Sequence, residues 1–272
     1  MTFVQGLLKG KVAFVAGGTS GINLAIADAL AQYGASVCVM SRDPAKVDTA
    51  TAHLARHGGE VRGYPGDVRD FGAVERVVGS ATDALGAFDI VVSGAAGNFI
   101  CPANKLSPNG FRVVVDIDLI GTFHVLRAAY GSLRRPGASI INISAPQSTE
   151  AFWGQAHVSA AKAGVDMLTR SLAVEWGHEG IRVNAIVPGP IEGTEGVERL
   201  APTPEIREAW GKANPMRRTG TGAEVANVAL FLSSEAASYV NGAIIYCDGG
   251  QVLGGARDYR ESWEALQAAK GG

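Results

Sequence analysis

Short apolar runs alternate with longer amphipathic stretches along the chain. The runs are rich in Val, Ile and Ala and most lead into Gly, Pro or Ser, a pattern that predicts buried β-strands. The stretches between them repeat apolar residues at helical spacing, which predicts helices that bury one face. The predicted strands cover 11–16, 36–40, 60–64, 88–92, 138–143, 181–187 and 243–246, and the predicted helices cover 23–33, 45–57, 71–85, 111–133, 155–176 and 223–232.

This alternation predicts how the elements assemble. Strands that are separated by crossover helices pair in parallel, and the helices then cover both faces of the sheet. The prediction is therefore an α/β fold with a Rossmann-type, doubly wound, parallel seven-stranded sheet and helices on both faces. No internal repeat or low-complexity linker interrupts the pattern, so we predict a single domain over 1–272. Such a sheet binds its ligand at the carboxyl ends of the strands.

Composition narrows the classes of partner. Hydrophobic residues make up 47% of the chain and charged residues only 18%, which predicts a large core and some surface covered by other subunits. The net charge is −2 without a basic run, so neither nucleic acid nor an anionic membrane is expected as a partner. No signal peptide or membrane-spanning run is recognisable. The three cysteines are too few and too far apart for a disulfide framework or a metal site, so we expect a cytoplasmic protein with reduced thiols.

The turn after the first predicted strand carries the first chemical signal. Glycine is required where a chain turns sharply and its backbone approaches a pyrophosphate, and the following helix offers free N–H groups to the phosphates. Asn23 stands where a third glycine is expected, a departure that bears on helix–strand packing or on cofactor geometry. The turn predicts a dinucleotide site formed by Gly17, Thr19, Ser20, Gly21 and Ile22.

The end of the second predicted strand indicates which dinucleotide binds. Ser41 and Arg42 can donate to a 2′-phosphate, which favours NADP(H) over NAD(H). The alternative is that Arg42 is a solvated surface residue. Asp43 and Pro44 resemble a helix cap followed by Pro at the first helical position, which would leave Arg42 free for the phosphate. Asp67 and Val68, past the third strand, are predicted to meet the adenine, unless Asp67 is only a turn residue.

Several motifs together carry a family resemblance. The glycine turn, Lys162, SGAAG at 93–97 and PGPI at 188–191 resemble the short-chain dehydrogenase/reductase family over nearly the whole chain. More closely, the chain resembles the 2,4-dienoyl-CoA reductase branch of peroxisomal type, through AAGNF at 95–99, DID at 116–118, GTF at 121–123, AVEWG at 173–177 and PIEGTEG at 190–196.

The resemblance implies an unusual reaction centre. The family's usual Asn, Ser, Tyr and Lys correspond to Asp118, Ala145, Val158 and Lys162, so only the lysine is kept. Valine cannot protonate a carbonyl oxygen. In the resembled branch an Asp and the Lys act together through a water, which implies catalytic roles for Asp118 and Lys162. Hydride addition to a conjugated thioester suits these residues, because water polarised by the pair can deliver the proton to carbon.

Alternatives remain at each of these positions. Lys162 is also expected to bind the nicotinamide ribose, and that could be its only role. Asp116 and Asp118 are two residues apart on a predicted helix and point to different sides, so only the resemblance selects Asp118. His157 is a candidate replacement acid, although its spacing from Lys162 places it off that lysine's face. The resemblance further implies cofactor contacts at Gly94, Ala95, Pro188, Gly189, Ile191 and Thr194, and substrate contacts at Asn98 and Phe99, although Phe99 could equally be a core aromatic. His157, next to the missing tyrosine, is a third candidate substrate contact.

The last part of the chain is expected to close over the substrate and to make subunit contacts. The irregular segment 192–218 is predicted to cover the substrate. The tail 256–272 is amphipathic and is expected to pack on a neighbouring subunit, in a homo-oligomer that the resemblance makes a tetramer. Four arginines in the segment either meet coenzyme A phosphates or are solvated: Arg199, Arg207, Arg217 and Arg218.

Three interpretations follow. The first is an NADPH-dependent reductase of an enoyl or 2,4-dienoyl thioester, with coenzyme A as the expected carrier. The second is a carbonyl reductase or alcohol dehydrogenase with an unusual acid such as His157. The third is an NADP-binding protein without turnover. The retained Lys162, Asp118 and the intact cofactor motifs favour the first.

Overall fold

The computed structural model describes residues 3–254, and every predicted strand is present in it. The tail 256–272 lies outside the described residues. The strands are β1 (Val12–Ala16), β2 (Ser36–Ser41), β3 (Val61–Pro65), β4 (Ile90–Ser93), β5 (Ser139–Ile143), β6 (Arg182–Pro188) and β7 (Ile244–Cys247). The α-helices are α1 (Gly21–Gln32), α2 (Pro44–Ala55), α3 (Phe71–Leu85), α4 (Pro108–Val115), α5 (Gly121–Ala129), α6 (Ala156–Trp176), α7 (Glu195–Leu200), α8 (Pro204–Ala213) and α9 (Gly222–Ser233).

The strands form one parallel sheet in the order β3-β2-β1-β4-β5-β6-β7. The order reverses direction beside β1, where Val15 pairs with Val39 of β2 on one side and with Val92 of β4 on the other. Strands β1, β4 and β5 are buried along their whole length, which explains their continuous apolar sequences. The predicted doubly wound α/β fold is confirmed, and the reversal is where such a sheet opens a ligand crevice.

Two apolar layers hold the sheet between its helices. On one face, residues of α1 and α9 such as Ile26 and Leu230 pack against Val15 and Ile141. On the other face, the core contains residues of α3, α5 and α6, together with Phe14 stacked on Phe88 at 5.4 Å between ring centroids. With helices covering both faces, the remaining ligand-accessible edge is the one where the strands end.

The helix predicted over 111–133 is divided. It begins earlier, at Pro108, and its middle five residues, Asp116–Ile120, form a π-helical turn between α4 and α5. A π-turn contains an extra residue relative to an α-turn and shifts the phase of the side chains. Asp118 is thereby buried, whereas Asp116 is only half-buried. Directly after the turn, Gly121 packs closely on Val68 in the segment after β3, where a Cβ would lie 2.6 Å from the valine side chain.

Within 3–254 no helix combines the length and apolar character needed to cross a bilayer.

The three cysteines form no disulfide. Cys38, Cys101 and Cys247 are all free thiols. Burial raises the pKa of Cys38 to about 12, so this thiol stays protonated and acts as a small core residue.

Candidate active site

A cavity of about 880 Å³ opens at the carboxyl ends of β1, β4, β5 and β6. This is a volume that accommodates a dinucleotide together with part of a substrate. The structure brings every residue predicted for the cofactor to its wall, together with Asp118 and Asn98. The cofactor group comprises Gly17, Thr19, Ser20, Gly21, Ile22, Ser41, Arg42, Asp67, Val68, Gly94, Ala95, Lys162, Pro188, Gly189, Ile191 and Thr194.

The N-terminus of α1 is shaped to receive an anion. Its N-cap residue, Ser20, makes no side-chain capping bond, and the first turn holds no acidic residue. In contrast, Asp43 caps α2 by accepting from the N–H groups of Ala45 and Lys46. Gly17 brings the turn close to β4: its φ is +78°, and a Cβ there would lie 2.8 Å from the Ala95 nitrogen. Open N–H groups at a helix end with a positive dipole fit the pyrophosphate of a dinucleotide.

Asn23 fills the position of the third glycine with a new contact. Its Nδ2 donates to the Gly94 carbonyl at 2.7 Å, which ties the first turn of α1 to the end of β4. The amide occupies the space that a Cβ on Gly94 would need, so the two residues fit only as a pair. Within the described residues Asn23 Oδ1 is buried and accepts no hydrogen bond. Asn23 Oδ1 is therefore an unused acceptor in the wall of the cavity, and it could accept a hydrogen bond from a ligand hydroxyl.

A buried ion pair lies at the centre of the cavity. Lys162 Nζ, on α6, is 3.2 Å from Asp118 Oδ2, and their side chains are 6% and 1% exposed. The backbone N–H of Gly97 donates to Asp118 Oδ1 at 2.7 Å, and Lys162 donates to the Ile143 carbonyl at 3.0 Å. An ammonium has three donors and the Ile143 carbonyl accepts from one, so two remain for Asp118, a ligand or a water. Asp118 Oδ2 faces the lysine without an aligned hydrogen bond in the described part of the chain, and it is therefore free to accept one from water.

The positions of the usual serine and tyrosine are apolar in the structure as well as in the sequence. Val158 and Ala145 both line the cavity and neither carries a proton donor. Beside Ala145, the Ser144 hydroxyl is buried in the same wall and has no hydrogen-bond partner among the residues described. The sequence analysis did not select Ser144, because a serine at the end of a strand is common and only its burial makes it notable.

His157 and Phe99, two predicted substrate contacts, do not line the cavity. His157 is fully buried, and its ring centroid lies 4.4 Å from that of Phe99. Both ring nitrogens lack hydrogen-bond partners within 3–254, and burial lowers the pKa of His157. The imidazole thus packs behind the cavity wall, and its burial favours the neutral form. Asn98, the third predicted substrate contact, does line the cavity.

Comparison with known proteins identifies the family. Residues 16–251 match the family model described as "Enoyl-(Acyl carrier protein) reductase". The structure superposes on a short chain dehydrogenase from Bacillus anthracis with a TM-score of 0.83 and 37% identity, covering 90% of this chain and 97% of the other. The chain belongs to the short-chain dehydrogenase/reductase family. It is thus a nicotinamide-dependent oxidoreductase, as the sequence predicted.

The curated relatives place this short-chain dehydrogenase/reductase in the dienoyl-CoA reductase branch. It is 43% identical to the peroxisomal 2,4-dienoyl-CoA reductase [(3E)-enoyl-CoA-producing] of Arabidopsis thaliana, over 91% of this chain and 86% of that one. It is 41% identical to a probable 2,4-dienoyl-CoA reductase [(2E)-enoyl-CoA-producing] of Bacillus subtilis, over 90% and 98%. The predicted branch is therefore confirmed. The two relatives' names place the product double bond differently.

Three aromatic side chains also line the reductase's cavity. Phe152 and Trp153, between β5 and α6, line it together with Trp210 of α8. Trp153 is 79% exposed, so it forms a rim that a ligand can cover. Gln147, Glu150, Gln155 and Asn214 add polar residues to the cavity wall. The sequence analysis missed these residues: most lie in short or irregular segments without a period, and Trp210 lies on the short helix α8, which was not predicted separately.

The four arginines of the predicted closing segment differ in position. Arg199, on α7, lines the cavity. Arg207 donates to the Ala201 carbonyl, Arg217 to the Lys212 carbonyl and Arg218 to Glu224. These three arginines support the local structure and do not line the cavity. They therefore fit the alternative that they are surface residues better than the prediction that they contact coenzyme A phosphates.

Proposed function

We propose that this chain is an NADPH-dependent reductase of a conjugated enoyl or 2,4-dienoyl thioester, with coenzyme A as the carrier. The observation that carries the proposal is the buried Asp118–Lys162 pair in a cavity that offers neither the serine nor the tyrosine of a carbonyl reductase. Relatives named 2,4-dienoyl-CoA reductase at 43% and 41% identity support the same substrate class.

The nicotinamide supplies a hydride, and the residues of this chain manage charge and proton. Hydride addition to the far carbon of the conjugated system moves negative charge to the thioester oxygen, where donors must stabilise it. Lys162 has N–H groups that the Ile143 carbonyl does not use, and the Ser144 hydroxyl is a further donor in the same wall. A water bound between Asp118 Oδ2 and the Lys162 ammonium gives a proton to carbon, the ammonium returns a proton to the water oxygen, and solvent then reprotonates the lysine. The Gly97 N–H holds the carboxylate in place.

The preference for NADPH follows from the surroundings of Arg42. This arginine lines the cavity at the end of β2 and makes no ion pair within 3–254. Asp43 accepts from backbone N–H groups as the cap of α2, so it does not neutralise the arginine through a hydrogen bond. Arg42→Gln should weaken NADPH binding about tenfold and leave NADH binding unchanged, as a fluorescence titration would show.

Three further features belong to the proposal. The segment 192–218, which contains α7 and α8, closes over the substrate, and Arg199 is the one of its four arginines placed to meet the ligand. The whole chain acts as one domain, assembled as a homotetramer. We keep a cytoplasmic location as a prediction, since some relatives are named as peroxisomal enzymes.

The test is a substrate panel with NADPH oxidation as the readout. The same enzyme preparation receives a 2,4-dienoyl-CoA, a 2-enoyl-CoA and a simple ketone, each with NADPH and with NADH. We expect turnover of a conjugated thioester and none of the ketone. Ketone turnover would instead support a carbonyl reductase, and NADPH binding without turnover of any substrate would support a non-catalytic cofactor-binding protein.

A further inference from the structure

An ion pair connects the cofactor-binding part of the cavity to the proposed closing segment. Lys46 Nζ, in the first turn of α2, is 3.0 Å from Glu195 Oε1 at the start of α7. Both residues line the cavity. Each side chain is about half exposed, at 51% and 52%, so solvent screens the pair and a stronger partner can displace either residue.

The position of Lys46 gives it a second possible partner. Lys46 lines the same cavity as Ser41 and Arg42, and it follows Arg42 by four residues. A phosphate monoester carries about −1.5 to −2 charges at neutral pH, more than the single charge of Arg42 can neutralise. Among the cavity residues contributed by β2 and the start of α2, Lys46 is the second cation.

Glu195 would keep one positively charged partner if Lys46 moved away. Arg199, one helical turn later on α7, donates to Glu195 Oε2 at 3.1 Å. The hydrogen bond from Lys46 is the main reason that the pKa of Glu195 lies below its ordinary value, so the carboxylate is ionised at neutral pH. Glu195 is thus a negative charge that holds Lys46 away from any other partner.

We infer that Lys46 exchanges partners when NADPH binds, leaving Glu195 to Arg199 and pairing with the 2′-phosphate beside Arg42. Glu195 is then an internal competitor of the phosphate, and the Lys46–Glu195 pair determines how strongly the enzyme prefers NADPH over NADH. The exchange also releases α7 from α2 at the moment of cofactor binding. This inference rests on the proposed use of NADPH.

Dissociation constants for NADPH and NADH, measured by cofactor fluorescence without substrate, test the exchange. Glu195→Gln should tighten NADPH binding about two- to fivefold, the range of an exposed ion pair, and leave NADH unchanged. Lys46→Met should weaken NADPH binding about five- to tenfold, again with NADH unchanged. In the Lys46→Met background, Glu195→Gln should lose most of its effect, because the two residues act through one contact.

Glu198→Gln is the matched control. Glu198 is an exposed acid on the same helix that does not line the cavity, so its substitution changes the net charge equally and should leave both constants unchanged. If the wild type prefers NADPH but the Lys46 and Glu195 variants have the same NADPH dissociation constant as the wild type, the exchange is overturned and the proposed function stays intact. No binding of NADPH to the wild type would overturn both.

Discussion

The two ends of the cavity are built from different kinds of structure. The cofactor end uses backbone: a glycine turn, an uncapped helix N-terminus and the ends of buried strands. The part of the cavity that we propose for the substrate is lined by side chains, among them aromatic ones from the loop before α6 and from the short helix α8. A backbone cradle fits one chemical group, the pyrophosphate, whereas side chains in loops can change without disturbing the sheet. The Asp118–Lys162 pair lines the same cavity.

Substitution of Lys162 should cause the largest loss, because it removes a contact shared by both ends. Lys162→Met should lower kcat by about 10²- to 10⁴-fold, the range for a group that assists proton transfer. It should also weaken NADPH binding about tenfold through the lost ribose contact. Steady-state kinetics and a cofactor titration give the two values. Lys212→Met, on the exposed surface of α8, is the control, and near-normal kcat in the Lys162 variant would exclude a catalytic role.

Gly17→Ala should damage the cofactor end alone. The residue has a φ of +78°, and its new Cβ would lie 2.8 Å from the Ala95 nitrogen. We expect at least a tenfold (~1.4 kcal/mol) rise in the NADPH dissociation constant and a loss of about 1–3 kcal/mol in the free energy of unfolding. Gly58→Ala separates backbone strain from steric collision. Gly58 has a φ of +79°, but a Cβ there would have no atom within 4 Å, so this variant has the strain without the collision. Equal changes of the NADPH dissociation constant in the two variants would contradict a role of the Gly17 turn in binding the pyrophosphate.

Trp153→Ala should affect the substrate end alone. The exposed indole forms the rim, and its removal should raise KM for a long-chain dienoyl-CoA about three- to tenfold. The NADPH dissociation constant should not change. Tyr239→Ala removes an exposed aromatic side chain outside the cavity and should leave KM as in the wild type. A change in NADPH affinity in the Trp153 variant would show that the two ends are not separable.

The smallest effect is expected at His157, behind the wall. Burial lowers the pKa of His157, so below about pH 6.5 this imidazole is protonated in the unfolded chain and stays neutral in the folded chain. Stability should therefore fall as the pH decreases from about 7 to about 5, by at most about 1.4 kcal/mol per pH unit from this group. His157→Phe should reduce that dependence, measured by urea unfolding at each pH. A turnover rate that collapses in this variant while it stays folded would return His157 to the list of candidate acids.

The two ends also differ in how far sequence reasoning reached. Many of the cofactor residues follow predicted strands, and the glycine turn and Arg42 after β2 have local signals, whereas others, such as Ile191 and Thr194, came from the resemblance. Asp118 required the resemblance, because helical periodicity cannot show the π-turn that separates its orientation from that of Asp116. Phe152, Trp153 and Trp210 have no periodic signal.

Some of what was missed can be explained by contacts between distant segments. Lys46 follows Arg42 by a helical spacing that the sequence shows, but its pairing with Glu195 depends on how α7 lies over α2. His157 was selected because it neighbours Val158, the position of the missing tyrosine. The structure instead turns it toward Phe99, because residues five apart on a helix face different neighbours.

Substitution of Asp118 tests the central claim most directly, because its carboxylate is the group that replaces the usual chemistry. Rates of NADPH oxidation with a 2,4-dienoyl-CoA should be compared for the wild type, Asp118→Asn and Asp116→Asn, with NADPH affinity measured in each. We expect Asp118→Asn to lose about 100-fold or more in kcat and to keep its NADPH affinity, while Asp116→Asn stays within about twofold of the wild type. An Asp118→Asn enzyme with wild-type kcat would contradict the Asp–Lys–water mechanism.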